Sequence, residues 1–193
     1  MNGILLAVTA QRPLSRKAAA ADTRTKLIES GLRLAERTGL SGLSVNLLVD
    51  EAGLSKGSFF HHFGDRNGYL LALHREFHDR IAERINAAVD GMQPGRERLL
   101  VGARVYLDSC LEQHGIRALL LEARAEPAVA EEITRRNTDF AQRCRADFQN
   151  LKHRHPLASA HLWIVMSAEA ALIELQQGSR ARAVRAALED FLD

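Results

Sequence analysis

Three groups of residues in this 193-residue chain have types and spacings that could do chemistry. The first is the run 43–63, in which Ser44, Gly53, Ser55 and Lys56 suit two short helices joined by a sharp turn. A serine hydroxyl caps a helix by accepting from a backbone N–H of its first turn, and glycine takes the left-handed conformation that a tight corner needs. Two helices joined in this way form a helix-turn-helix, whose second member can enter a DNA major groove with its N-terminal residues foremost. The second group is His74 and His78, four residues apart on one helix face, a spacing that can clamp a metal. The acid in His74-Arg75-Glu76-Phe77-His78 is misplaced for a zinc-protease role and no third ligand is nominated, so the pair reads as helix surface. The third is Cys110 with His114, a thiol and a base at the same spacing. No orienting carboxylate or oxyanion hole is evident, so pocket lining or core is the reading for Cys110. No phosphate-binding glycine loop or paired-carboxylate signature stands out. The expectation is no enzyme, no metal and no cofactor.

The elements that must position these residues read as all-α. Long stretches are rich in Ala, Leu, Arg and Glu, which lose little side-chain freedom in a helix, and only 4 prolines interrupt them. Asp22 can cap a first helix from about Thr23 to Thr38, stopped by Gly39. Ser44 caps a short helix Val45 to Ala52, and a second runs from Lys56 to about His62. Asp65 caps a long helix from Arg66 to about Val89. Further helices are predicted at roughly 96–113, 117–125, 128–152, 157–177 and 180–192, with breaks at His114-Gly115, Pro127, His155-Pro156 and Gly178-Ser179. Val45, Leu48, Val49, Ala52, Phe59 and Phe63 supply a small core that holds the bent pair on the first helix, and Leu54 tucks inward to fix the angle.

The run Leu43-Ser44-Val45-Asn46-Leu47-Leu48-Val49-Asp50-Glu51-Ala52-Gly53-Leu54-Ser55-Lys56-Gly57-Ser58-Phe59-Phe60-His61-His62-Phe63 resembles the DNA-binding segment of the TetR family of transcriptional regulators. The likeness extends from about Arg24 to Leu71, roughly a quarter of the chain, and lies in the glycine positions, the Ala-Gly-Leu-Ser-Lys-Gly turn and the aromatic-His-His-Phe end. The resemblance implies that Ser44 and Ser55 offer hydroxyl or N–H groups to phosphates at helix N-termini. It implies that Lys56 reaches a phosphate or a guanine edge, that Gly57 and Ser58 permit close approach, and that His61 meets phosphate or base. Three positions depart from the family pattern. Phe60 stands where Tyr is usual and lacks a phosphate-binding hydroxyl, Arg66 replaces Lys, and Asn67 replaces Glu.

Charge and composition add little alone. The net charge is +2, and residues 1–80 hold 11 Lys or Arg against 8 Asp or Glu, a weak basic bias compatible with phosphate contact. Cys110 and Cys144 are too few for a disulfide framework and read as reduced thiols in a cytoplasmic protein. No apolar run approaches the roughly 20 residues that cross a bilayer. The stretch Ile4 to Ala10 resembles a secretory core only faintly, and residues 1–20 read as a flexible arm.

The expected organisation is therefore an arm over 1–20, a helix-turn-helix domain over 21–66 and a helical ligand-binding and dimerisation domain over 67–193. In TetR-like proteins the later helices enclose an apolar ligand cavity. Tyr106, Cys110, Arg124, Phe140, Cys144 and Trp163 are candidates by type and location, ordinary core being the alternative for each. The almost wholly apolar run Leu162 to Leu175 and the face Val184, Ala187, Leu188 and Phe191 suit a four-helix bundle across a two-fold axis. The resemblance thus implies a homodimeric, ligand-responsive repressor on a palindromic double-stranded operator, with a small-molecule effector of unknown identity. The rival readings are a constitutive DNA-binding protein whose bundle only dimerises, and a helical enzyme or metal-binding module.

Overall fold

The structure, a computed structural model, describes residues 16–38 and 43–193. Among these the chain forms α1 (Arg16–Thr38), α2 (Val45–Ala52), α3 (Lys56–Phe63), α4 (Arg66–Val89), α5 (Arg96–Glu112), α6 (His114–Glu122), α7 (Pro127–Asn150), α8 (Pro156–Gln177) and α9 (Arg182–Asp190), with a 3-10 turn at Ala123–Ala125 after α6. No strand occurs among the described residues. The all-α expectation holds.

Local chemistry sets the ends of α2, α3 and α4. Ser44 accepts from the Leu47 N–H, Ser55 from the Ser58 N–H and Asp65 from the Gly68 N–H, so each helix has one otherwise orphaned donor satisfied by the residue before it. Gly53 closes α2 at φ 64°, where a side chain would be strained, and its N–H reaches Val49 and Asp50 carbonyls.

α1, α2 and α3 form a three-helix unit seated on the first half of α4. Leu27, Ile28, Leu34, Leu48 and Phe59 are buried at its centre. Tyr69 of α4 is wholly buried and donates its hydroxyl to the Leu27 carbonyl at 2.7 Å. That contact needs glycine at position 31, because a Cβ there would lie 1.9 Å from the Tyr69 oxygen. α4 then continues into a bundle with α5, α7 and α8, so it belongs to both units, and the proposed division after Arg66 cuts across a continuous core.

Several expectations are corrected. α1 begins at Arg16, not Thr23, because the alanines at 18–21 propagate helix more strongly than Asp22 interrupts it. Asp22 pairs with Lys26 at 2.8 Å instead of capping. Residues 16–20 are thus helical and not an arm. Residues 1–15 and the expected stop at Gly39 lie outside the described residues. The break expected at His114-Gly115 falls one residue earlier, at Gln113: α6 starts at His114, and Gly115 is where α6 touches α1, with a Cβ there lying 2.5 Å from the Glu36 Cα. α8 is long and apolar enough to cross a bilayer by length and composition, contrary to expectation. One side of it packs on α5 and α7 through Trp163, Ala170 and Ala171, while Leu162 and Val165 face outward at 57% and 54% exposure. α9 turns Leu188 inward, and Glu174 of α8 pins it by accepting from the Ala181 N–H at 2.9 Å and the Arg185 guanidinium at 2.6 and 2.7 Å.

Candidate functional site

The surface of α3 follows from its aromatic spacing. Phe59 is fully buried and packs on Phe63 and Tyr69 at ring-centroid distances of 5.4 and 5.1 Å. Burying that side turns Lys56, Gly57, Phe60 and His61 to the other, and all four are exposed. Lys56 has no carboxylate within ion-pair distance among the described residues. Phe60 is 49% exposed, a large apolar ring on a polar face, and meets Phe59 edge-on at 5.4 Å. A Cβ at Gly57 would make only an ordinary 3.6 Å contact with Ser55 Oγ, so internal packing does not demand glycine there.

The serines are oriented by capping. Ser44 and Ser55 are exposed, and each hydroxyl oxygen accepts from its own helix at 3.2 Å. Ser58 is half-buried with its Oγ 3.2 Å from Ser55 Oγ, so it faces the cap more than the open side. Arg66 is half-buried at the start of α4. Burial first, then the neighbouring His61 and the Arg24 guanidinium, lowers the His62 pKa, and that guanidinium sits 5.6 Å over the Phe63 ring. Arg33 and Arg37 are drawn to Glu51 at 3.6 and 2.8 Å.

A second feature lies in the bundle: a cavity of about 190 Å³ among α4, α5, α6, α7 and α8. Tyr106, Arg124, Phe140, Cys144 and Trp163 line it, whereas Cys110 does not. Cys110 is 1% exposed and belongs to the core beside Tyr106, where burial pushes its thiol pKa up. Its predicted place in a pocket is corrected accordingly. Burial likewise pushes Cys144 up to about 11, and both thiols are free.

Sequence reasoning missed the more informative lining. His74 is 2% exposed and lines the cavity with His78, so the surface reading of this pair is wrong. Burial, and next the positive charge of Arg136, holds the His74 pKa at about 4, and burial with the adjacent His74 holds His78 well below its usual value. Both rings are neutral near pH 7. Arg117, seven residues before Arg124 and so on the same side of the α6 segment, is 4% exposed and lines the cavity with it. That heptad spacing was the available signal.

α6 joins the two features. Glu36 of α1 accepts from the Gly115 and Ile116 N–H groups at 3.1 Å each, capping α6 with a carboxylate from the helix-turn-helix unit. The same short helix presents Arg117 and Leu120 to the cavity.

Comparison with known proteins agrees with this arrangement. Residues 27–73 match the family model described as bacterial regulatory proteins, tetR family. The transcriptional repressor AcnR of Corynebacterium efficiens is 37% identical over 65 residues, covering 34% of this chain and 35% of that protein. The chain thus spans about a third of the length of the curated relatives it matches first. Structural likeness runs further. A TetR-family transcriptional regulator from Pectobacterium atrosepticum superposes with a TM-score of 0.69 at 26% identity, over 93% of this chain and 94% of that one. The multidrug binding protein EbrR, solved with imidazole, has a TM-score of 0.67 at 18% identity, over 88% and 94% of the two chains. The tetR family model is thus matched in the N-terminal helices, and the same helical fold as a TetR-family regulator runs along nearly the whole chain.

Proposed function

We propose that this protein is a DNA-binding transcriptional regulator, a dimeric and ligand-responsive repressor that acts in the cytoplasm on a palindromic operator. The observation that carries the reading is the outward face of α3, where an unpaired Lys56 stands beside Gly57, Phe60 and His61 over a rigid aromatic floor. Such a helix enters a major groove end-on. Lys56 supplies phosphate or guanine contact, and the capping hydroxyls of Ser44 and Ser55 keep their own protons to donate to phosphate oxygens. Phe60 has no hydroxyl for phosphate; on this face its ring suits the methyl group of a thymine. Arg66 adds a cation at the flank.

Two half-sites need two copies of the chain. Ala158, Leu162, Val165 and Glu169 form one exposed stripe of α8 at alternating spacings of four and three, and α9 exposes the small residues Ala183, Ala186 and Ala187. Pairing these surfaces across a two-fold axis covers the apolar side of α8 with protein instead of lipid and sets two α3 helices about 34–36 Å apart, or a multiple of that. EbrR, a protein of the same fold, is described as multidrug binding, which supports reading the bundle cavity as an effector site. A ligand that prefers one setting of α6 would tilt α1 through Glu36 and alter the half-site spacing, a coupling of typically about 1–3 kcal/mol.

The test is selection of bound fragments from genomic DNA, followed by affinity measurements on the selected duplex across salt concentrations. Lys56→Ala should weaken binding and reduce the salt slope by about one counterion. Failure of the dimer to bind any duplex at low ionic strength would remove the regulator reading.

A further inference from the structure

We infer that the bundle cavity is built for a small monocarboxylate with an apolar body, held by its carboxylate against Arg117, Ser167 and His74. The inference rests on reading the cavity as an effector site and adds the chemistry of the effector.

Three residues that line this one cavity each carry a buried polar atom without a protein partner: Arg117 Nε, Ser167 Oγ and His74 Nδ1. Their residues are 4%, 5% and 2% exposed. A folded chain rarely leaves buried donors unanswered, since each costs about 1–3 kcal/mol and more when charged. Three such residues around one hollow point to a polar group supplied from outside the fold. The sign of that group follows from the donors. The Arg117 guanidinium only donates, the serine hydroxyl can donate, and a neutral imidazole can present an N–H at Nδ1. A carboxylate accepts from all three; an ammonium accepts from none.

The surrounding charges agree. Of the arginines lining the cavity, Arg98 is answered by Asp147 at 2.6 and 2.5 Å, and Arg136 by Glu132 at 2.9 Å and Asp79 at 2.7 Å. Asp147, the one carboxylate among the residues that line the cavity, is therefore occupied. Arg117, Arg124 and Arg143 have no carboxylate partner among the described residues, although Arg143 sits 5.4 Å over the Phe140 ring. The positive field of Arg117, Arg124 and Arg136 reaches His74 and His78 and helps keep both neutral, so the histidines add donors without adding charge. A divalent metal would meet that same field as repulsion. The rest of the ligand is set by Tyr106, Phe140, Trp163 and Ile164, an apolar and aromatic wall. At about 190 Å³ the hollow is close to the roughly 150 Å³ that holds a benzene ring, which limits the body to one ring or a short chain.

Thermal melts and titration calorimetry on the full chain at neutral pH test this. The panel is benzoate, phenylacetate and hexanoate against benzamide, hexanamide and benzylamine, with benzenesulfonate as a second anion. Carboxylates should raise the melting temperature and bind at least tenfold more tightly than the matching amides, and benzylamine should not bind. Arg117→Met should weaken benzoate by about tenfold to a hundredfold, the usual weight of a hydrogen bond to a charged group. The same substitution should leave the unliganded melting temperature unchanged or higher, because it removes a buried charge with no partner. A merely structural arginine would give the opposite sign. Ser167→Ala is the milder companion and should cost benzoate severalfold. Equal binding of amides and carboxylates, or benzoate binding undiminished in Arg117→Met, overturns the carboxylate site while leaving an effector site of other chemistry. If no compound of any charge binds, the orphaned atoms are served by water and the proposal falls. A carboxylate that binds through Arg117 without changing operator affinity upholds the site and instead sinks the regulatory reading of the cavity.

Discussion

Replacing Gly115 by alanine should destabilise the protein, although the same exchange in an ordinary helix stabilises by about 1 kcal/mol. The reversal comes from the seam between α6 and α1. A Cβ on residue 115 would lie 2.5 Å from the Glu36 Cα and 2.8 Å from the Ala35 carbonyl oxygen. Both are backbone atoms, so no side-chain rotation relieves the clash. Carbon atoms rest at about 3.5–4.0 Å, so α6 must retreat by roughly 1 Å. Overpacking of this kind costs about 1–3 kcal/mol. The retreat also stretches the two 3.1 Å hydrogen bonds by which Glu36 holds the Gly115 and Ile116 N–H groups, and bonds to a charged acceptor carry about 1.5–3 kcal/mol. Against the helix-propensity gain, the net loss is about 2 kcal/mol or more, a fall of roughly 4–8 °C in melting temperature for a chain this long. Differential scanning calorimetry reads it directly. Operator affinity measured alongside should drop as well, since α1 carries the helix-turn-helix, while the salt slope stays as in the unaltered protein because no phosphate contact is touched. A Gly115→Ala protein that melts at or above the parent temperature would refute the close α1–α6 contact, and the proposed transmission through α6 would go with it.

Three further outcomes are expected. The His74 pKa is about 4 in the fold against an ordinary 6.5, so the unfolded chain takes up the proton first. The contribution of this residue is complete above pH 6.5 and is lost as the pH falls towards 4, about 2 kcal/mol being gone by pH 5 at roughly 1.4 kcal/mol per unit. Urea unfolding at pH 7 and pH 5 should therefore show a shallower acid loss in His74→Gln, and equal slopes would contradict a buried neutral ring. Tyr69→Phe removes the 2.7 Å hydrogen bond to the Leu27 carbonyl and should cost about 1 kcal/mol, read as a drop of roughly 2–4 °C; an unchanged melt would mean that the hydroxyl does not hold α1 to α4. Glutamates at both Leu162 and Val165 place two like charges on the exposed stripe of α8, and sedimentation should then give a monomer. A dimer of undiminished affinity would move the interface elsewhere.

What the sequence discloses here is whatever a residue does to its immediate neighbours. Ser44, Ser55 and Asp65 act on an N–H three residues ahead, and Gly53 on its own φ, so α2 and the starts of α3 and α4 are legible to the residue. The all-α class is legible for the same reason. Asp22 misleads because capping is a competition: alanines before it extend the helix past the cap, and the acid falls back on Lys26 one turn ahead. Gly115 misleads more deeply. By itself it reads as a breaker, and only the backbone of Glu36, 79 positions earlier, makes it a contact. His74 and Arg117 are concealed for a related reason. A lone histidine or arginine on a helix is ordinarily solvated, and nothing near it in the chain tells whether a carboxylate elsewhere answers it. Glu132 draws in Arg75, Arg135 and Arg136, and Asp147 draws in Arg98, so the two buried acids of α7 are taken up by arginines other than Arg117. The partnerless state of Arg117 is a property of the whole assembly, and so is any ligand specificity that depends on it. A family motif can therefore place the exposed face of the helix-turn-helix from sequence, whereas the unanswered charges of the bundle cavity become visible only once every other charge has been assigned its partner.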